Sequence, residues 1–167
     1  MEMKKVNFKK HPVTLSGSLP QVGKPAPSFE LVKSDLAVIS LEDLKGKTLV
    51  LNVFPSLDTA VCAMSVRKFN SMAANMKDTI VLAISRDLPF AHSRFCSTEG
   101  IDNLITLSDF RCTSFSKDYG LLMEDGPLQG LLARAVIVID PEQIVRYVQL
   151  VPEITQEPDY DEVLRHL

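Results

Sequence analysis

Short, nearly continuous apolar runs alternate with segments of helical periodicity along this chain, and this alternation limits the possible folds more than any other feature. The run TLVLNVF at residues 48–54 is rich in β-branched side chains and is typical of a strand buried on both faces. Similar runs predict strands at 79–84, 134–139 and 144–150, and a weaker one at 104–107. Strands that alternate with helices indicate βαβ units around a central sheet.

Three helices are predicted from periodicity and from helix-terminating residues. The segment 60–76 is amphipathic, with apolar side chains at helical spacing at Val66, Phe69, Ala73 and Met76. The segment 88–99 is a second predicted helix, ended by Gly100. The segment 157–167 is a third, with Pro158 expected in its first turn.

The N-terminal part of the chain contains shorter β-like segments. Residues 5–15 have this character, and residues 29–32 and 37–40 predict two short strands around a turn. Ser40 and Asp43 form a weak capping box for a short helical turn.

The complete pattern predicts an α/β protein with a mixed central β-sheet flanked by helices. No repeat or linker divides the 167 residues, so we expect a single domain spanning residues 1–167. A thioredoxin-like arrangement fits this pattern, although the pattern alone also permits other α/β folds.

Composition excludes several classes of partner from the prediction. The formal net charge is −3, which gives no electrostatic reason to expect nucleic acid or an anionic membrane as a partner. The basic N-terminus is not followed by the apolar segment of a secretory signal, and no apolar run is long enough to span a bilayer. We therefore expect a cytoplasmic protein.

One of the three cysteines, Cys62, lies where a buried strand gives way to a helix. Pro55 breaks the strand, and Cys62 falls in the first turn of the predicted helix, close to the carboxyl end of the sheet, where ligands bind in open α/β folds. The unpaired N–H groups and dipole of a helix start favour an anionic sulfur. Thr59 can offer a hydroxyl to the sulfur or to a bound oxygen, and Arg67 is a further candidate for positive charge.

The position is also compatible with an inert cysteine. Cys62 lies on the same helical stripe as Val66 and Phe69, where a cysteine usually serves as a small buried hydrophobe. Two other functions therefore stay open at this point: a redox-regulated binding protein, and an α/β scaffold without reactive thiols.

The pattern Pro55-x-x-x-Thr59-x-x-Cys62 resembles the active-site motif of the peroxiredoxin family. Longer strings are similar to its bacterial thiol peroxidase branch, the atypical two-cysteine type. These strings extend over most of the chain: HPVTL (11–15), KTLVLNVFP (47–55), VCAMSVRKFN (61–70), ISRDLPFAHSRFC (84–96), GPLQGLLARA (126–135) and LVPEITQEPDY (150–160). Ala60 departs from the commonest form of the motif, in which glycine is frequent.

The resemblance implies a thioredoxin fold with an N-terminal β-hairpin, and a role for each site residue. Cys62 is the implied peroxide-attacking cysteine and Cys96 the implied resolving cysteine, which forms an intrachain disulfide with it. Thr59 and Arg134 complete the implied site, and Pro55 shields it. The alternative for Arg134 is a purely structural role in a surface ion pair.

The resemblance also implies the reaction and its partners. The expected activity is reduction of hydrogen peroxide and of organic or lipid hydroperoxides, in antioxidant defence, through a sulfenic acid at Cys62. Thioredoxin is the implied reductant and a homodimer the implied assembly, and no cofactor or metal is implied.

Three further features have competing interpretations. Cys112 matches no catalytic position of the family and is interpreted as a buried or half-buried bystander. His92, four residues before Cys96, is interpreted as solvated or hydrogen-bonded rather than as a metal ligand. The three leucines of residues 126–132 are expected to line an apolar pocket or a dimer face, or else to pack in the core.

Overall fold

The computed structural model describes residues 4–112 and 114–167. A small antiparallel hairpin comes first, formed by β1 (Lys5–Phe8) and β2 (His11–Thr14). A seven-stranded mixed sheet follows, with the strand order β4-β3-β7-β6-β5-β8-β9. Its strands are β3 (Glu30–Lys33), β4 (Val38–Ser40), β5 (Thr48–Val53), β6 (Thr79–Ser85), β7 (Ile105–Ser108), β8 (Ala135–Ile139) and β9 (Val145–Leu150).

Helices flank this sheet, as the alternation of patterns predicts. In chain order they are α1 (Ala60–Ala73), α2 (Pro89–Glu99), α3 (Ser114–Asp118) and α4 (Tyr160–Leu164). Helix α1 packs on β6 and α2 on β7. Helix α2 ends at Gly100, which has the left-handed backbone conformation (φ 67°) that glycine adopts without steric cost. The predicted mixed sheet, its flanking helices and the N-terminal hairpin are all confirmed.

The central position of β5 explains its unbroken apolar character. It pairs in parallel with β6 and antiparallel with β8, so both of its edges are hydrogen-bonded, and an apolar cluster covers each of its faces. Leu49 and Leu51 belong to the apolar cluster on one face of the sheet. Val50 packs with Phe69 of α1 in a cluster on the other face.

Some boundaries differ from the sequence prediction. The last helix is shorter than predicted, and the expectation that Pro158 lies in its first turn is wrong. Asp159 is the N-cap and its carboxylate accepts a hydrogen bond from the Glu162 N–H at 3.1 Å, so the helix begins after both residues. Arg134 does not open β8 but immediately precedes it. The short helix α3 was not predicted.

The weak capping box in the N-terminal half is confirmed. The Ser40 N–H donates to the Asp43 carboxylate at 2.9 Å, and the Asp43 N–H donates to the Ser40 hydroxyl at 3.3 Å. A single 3-10 turn, Glu42–Leu44, follows it.

Candidate active site

Four chain segments meet beyond one edge of the sheet. The parallel pairing of Val53 with Ile84 places the ends of β5 and β6 side by side, and Ser108 at the end of β7 lies beside Ser85. Because β8 runs the opposite way, its first residue pairs with Val53 at the same edge. Residues that follow β5, β6 and β7, and residues that precede β8, are therefore neighbours in space.

Cys62 lies at this edge, in the first turn of α1. Thr59 is the N-cap residue by its backbone conformation, with extended angles (φ −102°, ψ 143°), so Cys62 is the third residue of the helix. The Cys62 side chain is fully buried. The first N–H groups of a helix have no acceptor within it, so this turn presents positive potential around the sulfur.

The guanidinium of Arg134 is in direct contact with that sulfur. Its Nη2 donates to Cys62 Sγ at 3.2 Å, and its Nε donates to the Ile154 carbonyl at 3.0 Å. Arg134 is only 1% exposed and forms no ion pair with any residue that the structure describes. The alternative of a surface ion pair is therefore wrong.

One nitrogen of the same guanidinium is left over. Arg134 Nη1 is buried and has no hydrogen-bond partner within residues 4–112 and 114–167. A buried donor without an acceptor is costly, and such groups in native structures call for an explanation. Here the donor belongs to a residue that lines a cavity.

The cavity has a volume of about 440 Å³ and opens beside the start of α1. Pro55, Thr59 and Arg134 line it, together with mainly apolar side chains from the hairpin and two loops, among them Phe8, Leu128 and Ile154. The Pro55 side chain is buried. Cys62 itself is fully buried and is not among the lining residues.

Thr59 and Arg67 behave differently from each other. The Thr59 hydroxyl donates to the Ser56 carbonyl at 3.0 Å, so it lies in the cavity wall without a hydrogen bond to the sulfur. Arg67 forms a bidentate salt bridge with Glu99 on the exposed surface, with both N–O distances at 2.9 Å. The structure thus directs Arg67 away from Cys62.

Cys96 lies on α2 and is partly exposed. Its sulfur is 3.9 Å from the Thr106 hydroxyl, and burial raises the pKa of its thiol. Cys96 packs against the apolar cluster that contains Cys62 and Val66, so both sulfurs belong to the same region of the core. Both cysteines are free thiols in this structure.

Cys112 is remote from this arrangement. It is a half-buried free thiol and lines a separate groove together with Phe29 and Leu41. The predicted degree of burial is correct.

The leucines of residues 126–132 satisfy two of their proposed interpretations. Leu128 lines the cavity, whereas Leu131 packs against the core and Leu132 is fully buried in it.

His92 is buried, so the interpretation as a solvated side chain is wrong and the hydrogen-bonded one is confirmed. Its Nε2 is 2.9 Å from the Ser85 hydroxyl. Burial lowers the pKa of His92 to about 4, against a smaller opposing effect of Asp87. Within the described parts of the chain, no group of three or more His, Cys, Asp or Glu side chains is arranged to hold a metal ion.

Two polar groups at this edge were missed from the sequence. Asp87, just after β6, accepts hydrogen bonds from the Ser56 hydroxyl at 2.7 Å and the Leu57 N–H at 2.8 Å. Arg86 forms a bidentate salt bridge with Asp109, with both N–O distances at 3.1 Å, and donates a hydrogen bond to the Gly130 carbonyl at 2.6 Å. The available signal was the position of Arg86 and Asp87 directly after a strand that neighbours β5.

Comparison with known proteins agrees with the fold. The family model described as Redoxin matches residues 21–164, so the chain belongs to the Redoxin family. A thiol peroxidase from Corynebacterium glutamicum is 53% identical over 165 residues, which cover 99% of both chains. A thiol peroxidase from Leptospira interrogans is 53% identical over 160 residues, covering 95% of this chain and 94% of the relative.

Solved structures extend the comparison. A peroxiredoxin-like protein from Aquifex aeolicus superimposes with a TM-score of 0.92 at 46% identity and covers 99% of this chain and 96% of its own. A thiol peroxidase from Chromobacterium violaceum, at 24% identity, shares the fold with a TM-score of 0.91 over 99% of this chain and 96% of its own.

Together these relatives define a thioredoxin-fold, peroxiredoxin-type thiol peroxidase, an enzyme that acts on peroxides with a thiol reductant. No helix in the described ranges is both long and apolar enough to cross a membrane.

Proposed function

We propose that Cys62 is the thiol that reacts with the hydroperoxide, and that Arg134 binds and polarises the peroxide beside it. The observation that carries this proposal is the hydrogen bond between Arg134 Nη2 and Cys62 Sγ at 3.2 Å. A thiolate at Cys62 would give this buried guanidinium the counter-charge that no carboxylate of residues 4–112 and 114–167 supplies. The unpartnered Nη1 is then available to a peroxide oxygen.

The first step is an in-line displacement at one peroxide oxygen. The Cys62 sulfur supplies an electron pair to the nearer oxygen, a sulfur–oxygen bond forms and the oxygen–oxygen bond breaks. The departing oxygen leaves as water or an alcohol after taking up a proton, and Cys62 becomes a sulfenic acid. Because negative charge moves from sulfur to oxygen, donors placed beside both atoms lower the barrier. Arg134 meets this requirement, since its planar group offers several N–H donors.

Thr59 and Pro55 complete the proposed site. Both line the cavity. The Thr59 hydroxyl can accept a hydrogen bond from the peroxide while it continues to donate one to the Ser56 carbonyl. Pro55 excludes water from the sulfur and presents no N–H of its own.

The second step is resolution by Cys96. Its thiol sulfur attacks the sulfenic sulfur of Cys62, which forms an intrachain disulfide and releases water. Both residues already belong to one apolar region. Thiol–disulfide exchange with thioredoxin would then return both thiols.

The cavity supports a broad substrate range. Hydrogen peroxide requires little space, whereas a volume of about 440 Å³ with Phe8, Leu128 and Ile154 in its walls suits the alkyl part of an organic or lipid hydroperoxide. In this proposal the enzyme acts in the cytoplasm, as a homodimer, in antioxidant defence.

Mass spectrometry after peroxide treatment tests the assignment of the cysteines. We expect a Cys62–Cys96 disulfide in the wild type, and sulfinic acid or a mixed disulfide at Cys62 in Cys96→Ser. Cys112→Ser is the matched control and should behave as the wild type. A Cys62→Ser variant that still turns over peroxide with thioredoxin, thioredoxin reductase and NADPH would contradict the proposal.

A further inference from the structure

Asp87 connects two segments that carry the two cysteines. Its carboxylate accepts three hydrogen bonds within the described residues: from the Ser56 hydroxyl at 2.7 Å, the Leu57 N–H at 2.8 Å and the Ser85 hydroxyl at 2.7 Å. Two of these donors belong to the loop between β5 and α1. An ionised carboxylate forms stronger hydrogen bonds than a neutral acceptor, so this loop is held firmly.

Ser56 passes this restraint to the start of α1. Its hydroxyl accepts a hydrogen bond from the Asp58 N–H at 3.1 Å. Its carbonyl accepts from the Thr59 N–H at 3.2 Å and from the Thr59 hydroxyl at 3.0 Å. The Thr59 carbonyl in turn accepts from the Ala63 N–H at 3.0 Å, in the turn that holds Cys62. A continuous chain of hydrogen bonds therefore links Asp87 to the first turn of α1.

The network continues on the other side into α2. Because the single proton of the Ser85 hydroxyl is donated to Asp87, His92 Nε2 must donate to that hydroxyl at 2.9 Å. The His92 ring is then the neutral Nε2–H form. Its Nδ1, which is buried without a partner in the described structure, carries the lone pair. His92 lies one helical turn before Cys96 on α2.

We propose that Asp87 is a positioning residue which, through Ser56 on one side and Ser85 with His92 on the other, holds both cysteine-bearing helices in their folded positions. This inference rests on the proposed function of Cys62 and Cys96. The restraint has opposite effects on the two steps. It speeds the attack on peroxide by holding the sulfur and its donors in place, and it slows resolution by opposing the local unwinding that a disulfide requires.

The first test is the rate of Cys62 oxidation, measured in the Cys96→Ser background by trapping the sulfenic acid with a selective probe and quantifying it by mass spectrometry. Asp87→Asn keeps the shape of the side chain, but it replaces one carboxylate oxygen with an NH2 group. That group cannot accept the hydrogen bonds that Ser56, Leu57 and Ser85 donate to Asp87. We expect oxidation to slow on the order of ten- to a hundredfold, as for a displaced reacting group. Asp78→Asn is the matched control, since Asp78 is an exposed carboxylate paired only with Lys47 at 3.2 Å among its described neighbours.

The second test is the ratio of sulfinic acid to disulfide at Cys62 after equal doses of peroxide, with Cys96 present. We expect this ratio to fall in Asp87→Asn, because resolution competes better with further oxidation. A general loss of stability gives no reason for the two readouts to move in these directions. Ser85→Ala removes the connection to His92 and one of the three hydrogen bonds to the Asp87 carboxylate, but it leaves the two from the loop between β5 and α1. It should lower the ratio and leave the oxidation rate closer to the wild type.

Circular dichroism establishes that each variant is folded. If Asp87→Asn does not fold, Ser56→Ala removes two hydrogen bonds of the same network, those of the Ser56 hydroxyl with Asp87 and with the Asp58 N–H, and should change both readouts in the same directions. An oxidation rate within twofold of Asp78→Asn together with an unchanged ratio would overturn the inference. Wild-type protein whose Cys62 resists peroxide would instead refute the proposed function, and the inference with it.

Discussion

Arg134 is the residue whose environment is hardest to explain without the reaction. Its side chain is 1% exposed, and its contacts in the described structure are a sulfur and a backbone carbonyl. Removing a cation from water without an opposite charge costs several kcal/mol. An arrangement of this kind is understandable if Cys62 supplies the negative charge and a peroxide oxygen binds the remaining N–H.

Substitution of Arg134 tests that explanation. We expect Arg134→Met to reduce kcat/KM for peroxide on the order of a hundred- to a thousandfold, as for loss of a donor aimed at developing charge. The kcat/KM of Arg134→Lys should lie between those of the wild type and Arg134→Met, because lysine keeps the charge but lacks the planar guanidinium. Steady-state kinetics with thioredoxin measure kcat/KM for each variant, and single-turnover experiments measure the rate of Cys62 oxidation directly. Wild-type rates in folded Arg134→Met would show that the contact is structural.

Two buried polar side chains, Ser65 and Asn52, form hydrogen bonds beside the first turn of α1. The Cys62 carbonyl accepts a hydrogen bond from the Ser65 hydroxyl at 2.9 Å, and Asn52 Nδ2 donates to that hydroxyl at 3.3 Å. A side-chain hydroxyl that bonds a helical carbonyl offers an alternative to the backbone ladder. Asn52 Oδ1 is buried without a partner in the described structure, so an acceptor is available for an N–H that unwinding releases.

Disulfide formation should therefore unfold part of a helix. We expect residues 60–64 or 92–98 to lose hydrogen-exchange protection when the protein is oxidised, because a disulfide requires Cα atoms within about 7 Å. Comparison of reduced and oxidised protein by exchange and by crystallography measures this change. Oxidised Cys112→Ser should respond in the same way. Unchanged backbone in both segments would contradict the expectation.

Across the molecule, Arg86 joins four separate parts of the chain. From the end of β6 it pairs with Asp109 after β7, and it donates to the Gly130 carbonyl and to the Ser116 hydroxyl at 3.2 Å. Burial raises the pKa of Asp109, and the hydrogen bonds from Arg86 oppose that rise. This pair supports the loop that places Leu128 in the cavity wall.

Loss of Arg86 should destabilise the whole fold. Arg86→Met leaves the Asp109 carboxylate buried without its partner, and we expect the free energy of unfolding to fall by about 3 kcal/mol. Urea unfolding measures this value. Arg94→Ala is the control, because Arg94 and Asp58 form an exposed pair at 3.5 Å whose loss should change stability by less than about 1 kcal/mol. Equal losses in the two variants would refute the prediction.

His92 makes stability depend on pH. Its pKa is about 4 in the folded protein, whereas an unperturbed histidine in the unfolded chain has a pKa of 6.5, so the unfolded chain binds more protons between these limits. The stabilising contribution of the neutral ring is complete above pH 6.5 and is lost as pH falls toward 4. The loss approaches about 3 kcal/mol. His92→Gln should flatten this slope in urea unfolding, whereas His11→Gln on the exposed hairpin should not.

The sequence alone determined the strands of the sheet, the two long helices and the position of Cys62. Residues 48–54 predicted a doubly buried strand because burial on both faces removes every polar alternation, and β5 has this environment. The break at Pro55 and the periodicity after it predicted that Cys62 lies in the first turn of a helix, as it does in α1. The family resemblance added Cys96 and Arg134, which neither spacing nor periodicity would have selected.

Only the tertiary structure decided which groups meet. Arg134 contacts a sulfur 72 residues earlier, and Asp87 reaches Ser56 across 31 residues. These contacts depend on the order and direction of the strands, which bring the ends of β5 and β6 and the start of β8 to one edge of the sheet. Local patterns record which side of an element is buried, because burial acts on each residue separately. They contain no information about which distant loop lies across the edge, because that depends on how all the strands assemble.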